Sequence, residues 1–520
     1  MAELLHELIY DAATRAPDDD ALVFQGQVLS YSELGSQVEA AACQLLDLGL
    51  SRGERVAVYL EKRIETVAAI FGASRAGGVF VPINPILKAE QVAFIMKDCN
   101  VRILVTSNDR LALLSSVLKD CHDLHSIILV GKGEASLQGI EVVSMNASGG
   151  SSKKPHPVIN ADMAAILYTS GSTGKPKGVV LSHHNMMTGA RSVSQYLENN
   201  REDRILSVLP LSFDYGLSQL TTAFCVGAVS VLMNYLLPRD IVKAVEKENI
   251  TGLAAVPPLW IQLAQLEWKG HLRYFTNSGG AMPKATLDAL RERLPGAKPY
   301  LMYGLTEAFR STYLPPEEVE RRPDSIGKAI PGAEILVLRE DGSPCVPGEP
   351  GELVHRGGLV SMGYWNDPQK TAERFKPLPN REGGLVIPEM AVFSGDTVRL
   401  DEEGFLYFIG RRDEMIKTSG YRVSPTEVEE VIYSSEMVGE VVALGLPHPA
   451  LGQEIVVIAT PAKEGALDVE LLLAQCRNRL PAYMVPSRIH VRQGSLPRNP
   501  NGKIDRKSLA IELAGDQYSP

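Results

Sequence analysis

The sequence contains no CxxC pair, no internal repeat, no low-complexity tract and no unbroken apolar run of membrane-spanning length. Its six cysteines (Cys43, Cys99, Cys121, Cys225, Cys345 and Cys476) are widely spaced, which argues against a disulfide frame or a thiolate zinc site. Reduced, mostly buried thiols of a cytoplasmic protein are the expectation. The opening segment MAELLHELIYDAATRAPDDD has early acidic residues and no apolar core, so no signal peptide is expected there. The fairly apolar stretch from Leu217 to Leu237 is broken by Gly227 and begins with Ser218, Gln219, Thr221 and Thr222. It reads as a buried helix followed by a strand, and no membrane span is expected. Lys and Arg number 52 against 62 Asp and Glu, without a clustered basic face. The resulting charge of −10 argues against a general nucleic-acid or anionic-membrane binder.

What is present is the balance of a globular protein, 45% hydrophobic and 22% charged, in a chain of 520 residues that is too long for one ordinary core. Amphipathic stretches such as YSELGSQVEAAACQLLDLGL and IETVAAIFGASRAGG alternate with short β-branched runs such as RVAVYL and VFVPI. That order predicts βα units and a mainly parallel sheet covered by helices. After about residue 330 short strands separated by Gly, Pro and Asp turns predict a small β-rich subdomain. A mixed pattern then resumes. The expected architecture is α/β: a large N-terminal domain over residues 1–411 made of βα-layered sheets, and a small mobile α+β C-terminal domain over residues 412–520.

From Ile166 the chain runs ILYTSGSTGKPKGVV, a strand feeding a loop with Thr169, Ser170, Gly171, Ser172, Thr173, Gly174, Lys175 and Lys177. Glycines let backbone N–H groups approach phosphate oxygens, hydroxyls add donors and lysines add charge. A P-loop needs four residues between its glycines and Ser or Thr after its Lys. Here two residues separate Gly171 from Gly174, and Pro176 follows Lys175. The P-loop reading fails.

The string YTSGSTGKPKGV resembles the signature loop of the adenylate-forming superfamily, which includes acyl-CoA synthetases, peptide-synthetase adenylation domains and luciferases. Further strings resemble that family's motifs in order: LSYSEL, AGGVFVPIN, NSGGA, YGLTE, GELVHRGG, MGYWNDP, SGD, GRRDEMIKTSGYRVSPTEVE, LPAYMVPS and NPNGKIDR. The resemblance implies ATP and Mg2+ as cofactors. It places Gly279, Gly280, Ala281, Tyr303 and Gly304 around adenine, Asp396 on the ribose hydroxyls with Arg411 nearby, Thr306 on the α-phosphate and Glu307 on Mg2+. Lys503 becomes the catalytic cation, Asp413 the hinge, and Gly420 part of a thiol tunnel on the face around Lys417 to Arg422.

The acid pocket departs from the acyl-CoA synthetase pattern. LPLSFDYG puts Phe213 where an aromatic–His pair is common, followed by Asp214, as in peptide-synthetase domains where that Asp pairs with a substrate amino group. A helix-capping Asp214 is the alternative. Arg310 either binds a polar group of the substrate or pairs with Asp214. Ser218, Ser278, Met302 and Ser311 complete an expected small polar pocket. About thirteen residues follow NGKIDRK, so the thiol acceptor is expected to be external. The leading expectation is a ligase that activates a small, amino-bearing carboxylic acid for the phosphopantetheine thiol of a separate carrier protein. An acyl-CoA synthetase using coenzyme A is the alternative. The presence of Lys503, Glu307 and Asp396 argues against an inactive homologue.

Overall fold

Strand Arg55–Tyr59 shows how the sequence builds the layers. Val56 and Val58 face one hydrophobic core while Ala57 and Tyr59 face another, so both sides of the strand are apolar and both are covered. This is the pattern of a parallel strand between two layers of helices. The computed structural model describes residues 2–131, 136–145, 151, 153–169, 176–378, 388–411, 414–418, 421–448, 451–462, 467–480, 482–499 and 502–516.

The described residues form sheets of seven, fourteen and five strands. The seven-stranded sheet pairs Arg55–Tyr59 with Val79–Pro82 and Val101–Ser107 in parallel, and ends on the antiparallel pair Met163–Thr169 and Lys177–Ser182. One half of the fourteen-stranded sheet is also parallel, through Arg204–Ser207, Gly252–Ala255, Tyr274–Asn277 and Lys298–Tyr303. The largest core joins the two sheets, with Phe71, Phe80 and Phe224 fully buried. Helices Tyr31–Asp47 and Ile64–Ala76 cross closely there: a Cβ on Gly72 would lie 2.7 Å from the Cβ of Ala41. Ser30 starts the first of these helices with a capping box closed by Glu33, which satisfies two otherwise unpaired amides.

The apolar stretch after Phe213 folds as helix Asp214–Val226, stopped by Gly227 at φ 77°, and then strand Val229–Leu232. Glycine is suited to this left-handed helix stop. Among the described residues no helix is long and apolar enough to cross a membrane.

The β-rich region after residue 330 continues the fourteen-stranded sheet. Strand Ser325–Ala329 pairs with Thr312–Leu314 on one side and Leu406–Arg411 on the other, which carries the hydrogen bonding across. The five-stranded sheet lies wholly between Ile416 and Val491. Its long strand Val438–His448 alternates in the same way as Arg55–Tyr59: Val441 and Ala443 face helices Pro425–Tyr433 and Val469–Arg479, while Val442, Leu444 and Leu446 face helix Arg506–Asp516. These two cores contain no residue before Ile416.

Candidate active site

The parallel strands of the large sheet end together, and the segments that leave them carry most of the expected site. Asn277 closes one strand and leads into Ser278, Gly279 and Gly280; Tyr303 closes the next and leads into Gly304, Thr306 and Glu307. Helix Asp214–Val226 begins seven residues after strand Arg204–Ser207. A crevice at the carboxyl ends of parallel strands is where open α/β sheets bind ligands.

Thr306 and Glu307 form a single 3-10 turn followed by Phe309 at φ 55°, a conformation that non-glycine residues adopt only under strain. Packing holds it: the Phe309 ring is fully buried against Gly189, where a Cβ would lie 2.4 Å from its Cδ1. The turn presents Glu307, whose Oε1 accepts 2.8 Å from Lys177 Nζ and 2.6 Å from the Tyr364 hydroxyl. Burial alone would raise the Glu307 carboxyl, but the Lys177 ammonium and these hydrogen bonds prevail and hold it below the usual carboxylate range. Sequence alone does not single out Tyr364, although it lies within the MGYWNDP string. Thr169 ends its strand with a buried hydroxyl that has no hydrogen-bond partner among the described residues. Ser170, Gly171, Ser172, Thr173, Gly174 and Lys175 lie outside the described residues, as do Asp413 and Gly420.

Asp396 is buried inside strand Met390–Leu400 rather than on an exposed turn. It accepts from the Tyr303 hydroxyl on Oδ2 and, at 2.9 Å, from Arg411 Nε on Oδ1. Burial and the neighbouring Asp396 carboxylate push the Tyr303 phenol well above its ordinary value, so it stays a neutral donor.

Lys503 enters this cleft from the other end of the chain. Its Cε lies 3.8 Å from where a Cβ on Gly279 would stand, and its ammonium senses Arg411, Asp214 and Asp396. The residue as a whole keeps access to solvent, so the cleft removes only part of its water. Desolvation by the surrounding protein, then repulsion by Arg411, lower its pKa from the ordinary lysine value against the pull of the two carboxylates.

Asp214 is the first residue of its helix, one place after the cap residue Phe213, and its carboxylate also accepts from the Tyr215 backbone N–H of the first turn. Arg310 Nη1 donates to Asp214 Oδ2 at 2.9 Å, and both residues are buried. Desolvation raises the Asp214 carboxyl pKa; Arg310 and Lys503 oppose that rise. Around the pair, Met302 Sδ accepts from Tyr196 at 3.0 Å, Ser311 Oγ meets His355 Nδ1 at 2.9 Å, and Ser218 Oγ meets Thr222 Oγ1 at 3.5 Å. Ser278 is buried, Phe213 half-buried and Ala281 exposed.

Comparison with known proteins identifies the family. Residues 9–365 match the AMP-binding enzyme family, and residues 427–503 match the AMP-binding enzyme C-terminal domain. A long-chain-fatty-acid–CoA ligase from Salmonella typhimurium is 30% identical over 553 residues, covering 98% of this chain and 95% of that protein. Tyrocidine synthase 3 from Brevibacillus parabrevis is 29% identical over 514 residues, covering 97% of this chain and 8% of that protein. The crystal structure of ATP-bound MatB from Rhodopseudomonas palustris superposes with a TM-score of 0.86 at 25% identity, covering 100% of both chains. The chain belongs to the AMP-binding enzyme family and is an adenylate-forming acid–thiol ligase.

Proposed function

We propose that this ligase uses ATP to convert a small carboxylic acid into its acyl-adenylate and then passes the acyl group to the thiol of coenzyme A. The observation that carries the reading is the meeting, in one cleft, of Lys503 with Gly279, Asp214 and the Asp396–Arg411 pair. In the first step a carboxylate oxygen of the acid bonds to the α-phosphorus and pyrophosphate leaves. Charge grows on the phosphate oxygens as that bond breaks, and the Lys503 ammonium stabilises it more in the transition state than in the ground state. Thr306 and the loop from Thr169 to Lys177 supply further donors. In the second step the thiolate adds to the acyl carbonyl and AMP departs.

Gly279 and Gly280 leave an uncluttered backbone edge for adenine beside Tyr303. Each Asp396 oxygen has a second lone pair, so the ribose hydroxyls can donate to it while Tyr303 and Arg411 remain bonded. Glu307, kept ionised by Lys177, suits Mg2+, which is held by one or two carboxylates together with phosphate oxygens and neutralises their charge. The largest core, which ends before Arg411, and the two cores that begin at Ile416 share no residue. That separation supports a division near residues 411–412 into a nucleotide-binding unit and a lysine-bearing unit.

The amino-bearing substrate expected from the sequence requires Asp214 to present a free carboxylate, and Arg310 engages it. The carrier-protein acceptor rests on the same likeness to peptide synthetases. A coenzyme A ligase matched over almost its whole length supports the other acceptor. The unpaired cysteines Cys43, Cys99, Cys121, Cys225, Cys345 and Cys476 support a reducing, cytoplasmic setting. The test is ATP–pyrophosphate exchange over a panel of carboxylic acids, followed by thioester formation with coenzyme A or with a phosphopantetheinylated carrier protein. Absence of exchange with every acid would refute adenylation, and thioester only on the carrier would refute the choice of acceptor.

A further inference from the structure

Arg310 has more donors than the protein uses. Its Nη1 donates 2.9 Å to Asp214 Oδ2 and 2.8 Å to the Phe309 carbonyl, while Nε and Nη2 are buried without a hydrogen-bond partner among the described residues. The residue is only 2% exposed. Its guanidinium carbon lies 4.9 Å from the centre of the Tyr215 ring and 5.5 Å from that of Phe309, so aromatic rings crowd the group. Leaving these two guanidinium nitrogens, with three N–H bonds between them, dry and unpaired is costly, and native proteins keep such groups where a ligand completes them. The carboxylate of Asp214 already accepts from Arg310 and from the Tyr215 backbone N–H. The unmet donors of this pair call for an acceptor, and the Arg310 guanidinium beside Asp214 repels an ammonium.

We infer that Arg310 is a specificity-determining residue, whose free Nε and Nη2 donate to an oxygen on the acyl chain remote from the reacting carboxylate. The substrate class is then an acid with a hydroxyl, keto or second carboxylate oxygen, rather than a plain fatty acid or an amino acid. This rests on the ligase reading above and on the position of Arg310, whose Cα lies 3.4 Å from where a Cβ on Gly304 would stand, next to the Tyr303 that bonds Asp396.

The test is ATP–pyrophosphate exchange on the full-length protein with acids matched in chain length: plain, hydroxy, keto, dicarboxylic and amino. An oxygen-bearing acid is expected to exceed the plain acid in kcat/KM by about a hundredfold or more, because a site built to donate rejects an analogue that leaves it unpaired. The hydroxy, keto and dicarboxylic arms show which oxygen is bound. Arg310→Lys keeps the charge opposite Asp214 but loses the planar fork of donors. It is expected to reduce that preference at least tenfold while thermal stability stays near wild type. Equal use of plain and oxygen-bearing acids, as would follow if a buried water fills the two donors, overturns the inference and leaves the ligase standing. So does a preference for the amino acid. Exchange with no acid overturns both. If Arg310→Lys does not fold, the wild-type panel decides alone.

Discussion

Lys503 is a cation placed among both signs of charge, and the role proposed for it requires its proton. Lys503→Ala is expected to lower pyrophosphate exchange by a factor of about 10²–10³, the scale of removing one donor from a developing negative charge. Thioester formation from a synthetic acyl-adenylate should be far less affected, and equal losses in both assays would remove the assigned role. Because the Lys503 pKa is lowered by desolvation and by Arg411, exchange should decline on the alkaline side at a lower pH than an ordinary lysine would dictate. Lys503→Arg cannot lose its proton in that range, so its residual activity should lack that alkaline limb. Lys503 stands out in the sequence through the NPNGKIDR string, and Asp396, in the short SGD, only through the order of the strings around it. Tyr364 does not stand out, since its role comes from contact with Glu307 across 57 residues of chain. The Asp214–Arg310 pair, 96 residues apart, stays undecided in the sequence for the same reason.

Among the elements, helix Asp214–Val226 is held by an unusually close approach. A Cβ on Gly216 would lie 2.0 Å from the Pro210 carbonyl oxygen, so the helix start and the loop before it touch backbone to backbone. Gly216→Ala must push that loop away and is expected to cost about 1–3 kcal/mol of stability while disturbing acid binding through Asp214. Gly35→Ala provides the contrast. It lies within helix Tyr31–Asp47, and its Cβ would meet Tyr10 at an ordinary 3.6 Å. A gain of about 0.5–1 kcal/mol is expected there from helix propensity. Chemical denaturation of the two variants checks both signs. Periodicity makes most of these elements legible. It cannot show that strand Ser325–Ala329 bridges to Leu406–Arg411, because pairing across about eighty residues leaves no local pattern.

At the scale of the molecule, three buried histidines tie stability to pH. Burial is the leading cause in each: His6 is lowered to about 3, His183 to about 4 and His355 to about 4. Each folded value lies below that of the unfolded chain, so the unfolded state takes up protons first as pH falls. Their stabilisation is complete above about pH 6.5 and is lost progressively towards pH 4, where each costs on the order of 3 kcal/mol. Urea midpoints should therefore fall steadily between pH 7 and pH 4.5. His355→Gln should flatten part of that slope, and an unchanged slope would exclude His355 as a contributor.

The lysine-bearing unit has its own cores, yet it touches the larger one: the Ser424 hydroxyl donates to the Ile409 carbonyl. If Lys503 acts as proposed, it is a tethered reagent whose effective concentration at the phosphate depends on how much of the time the unit is seated. Turnover becomes a product of two occupancies, that of the substrates and that of the seat. A substitution such as Ser424→Ala should then lower kcat and leave acid and nucleotide affinity unchanged, which is the signature of a shortened duty cycle rather than of weakened recognition.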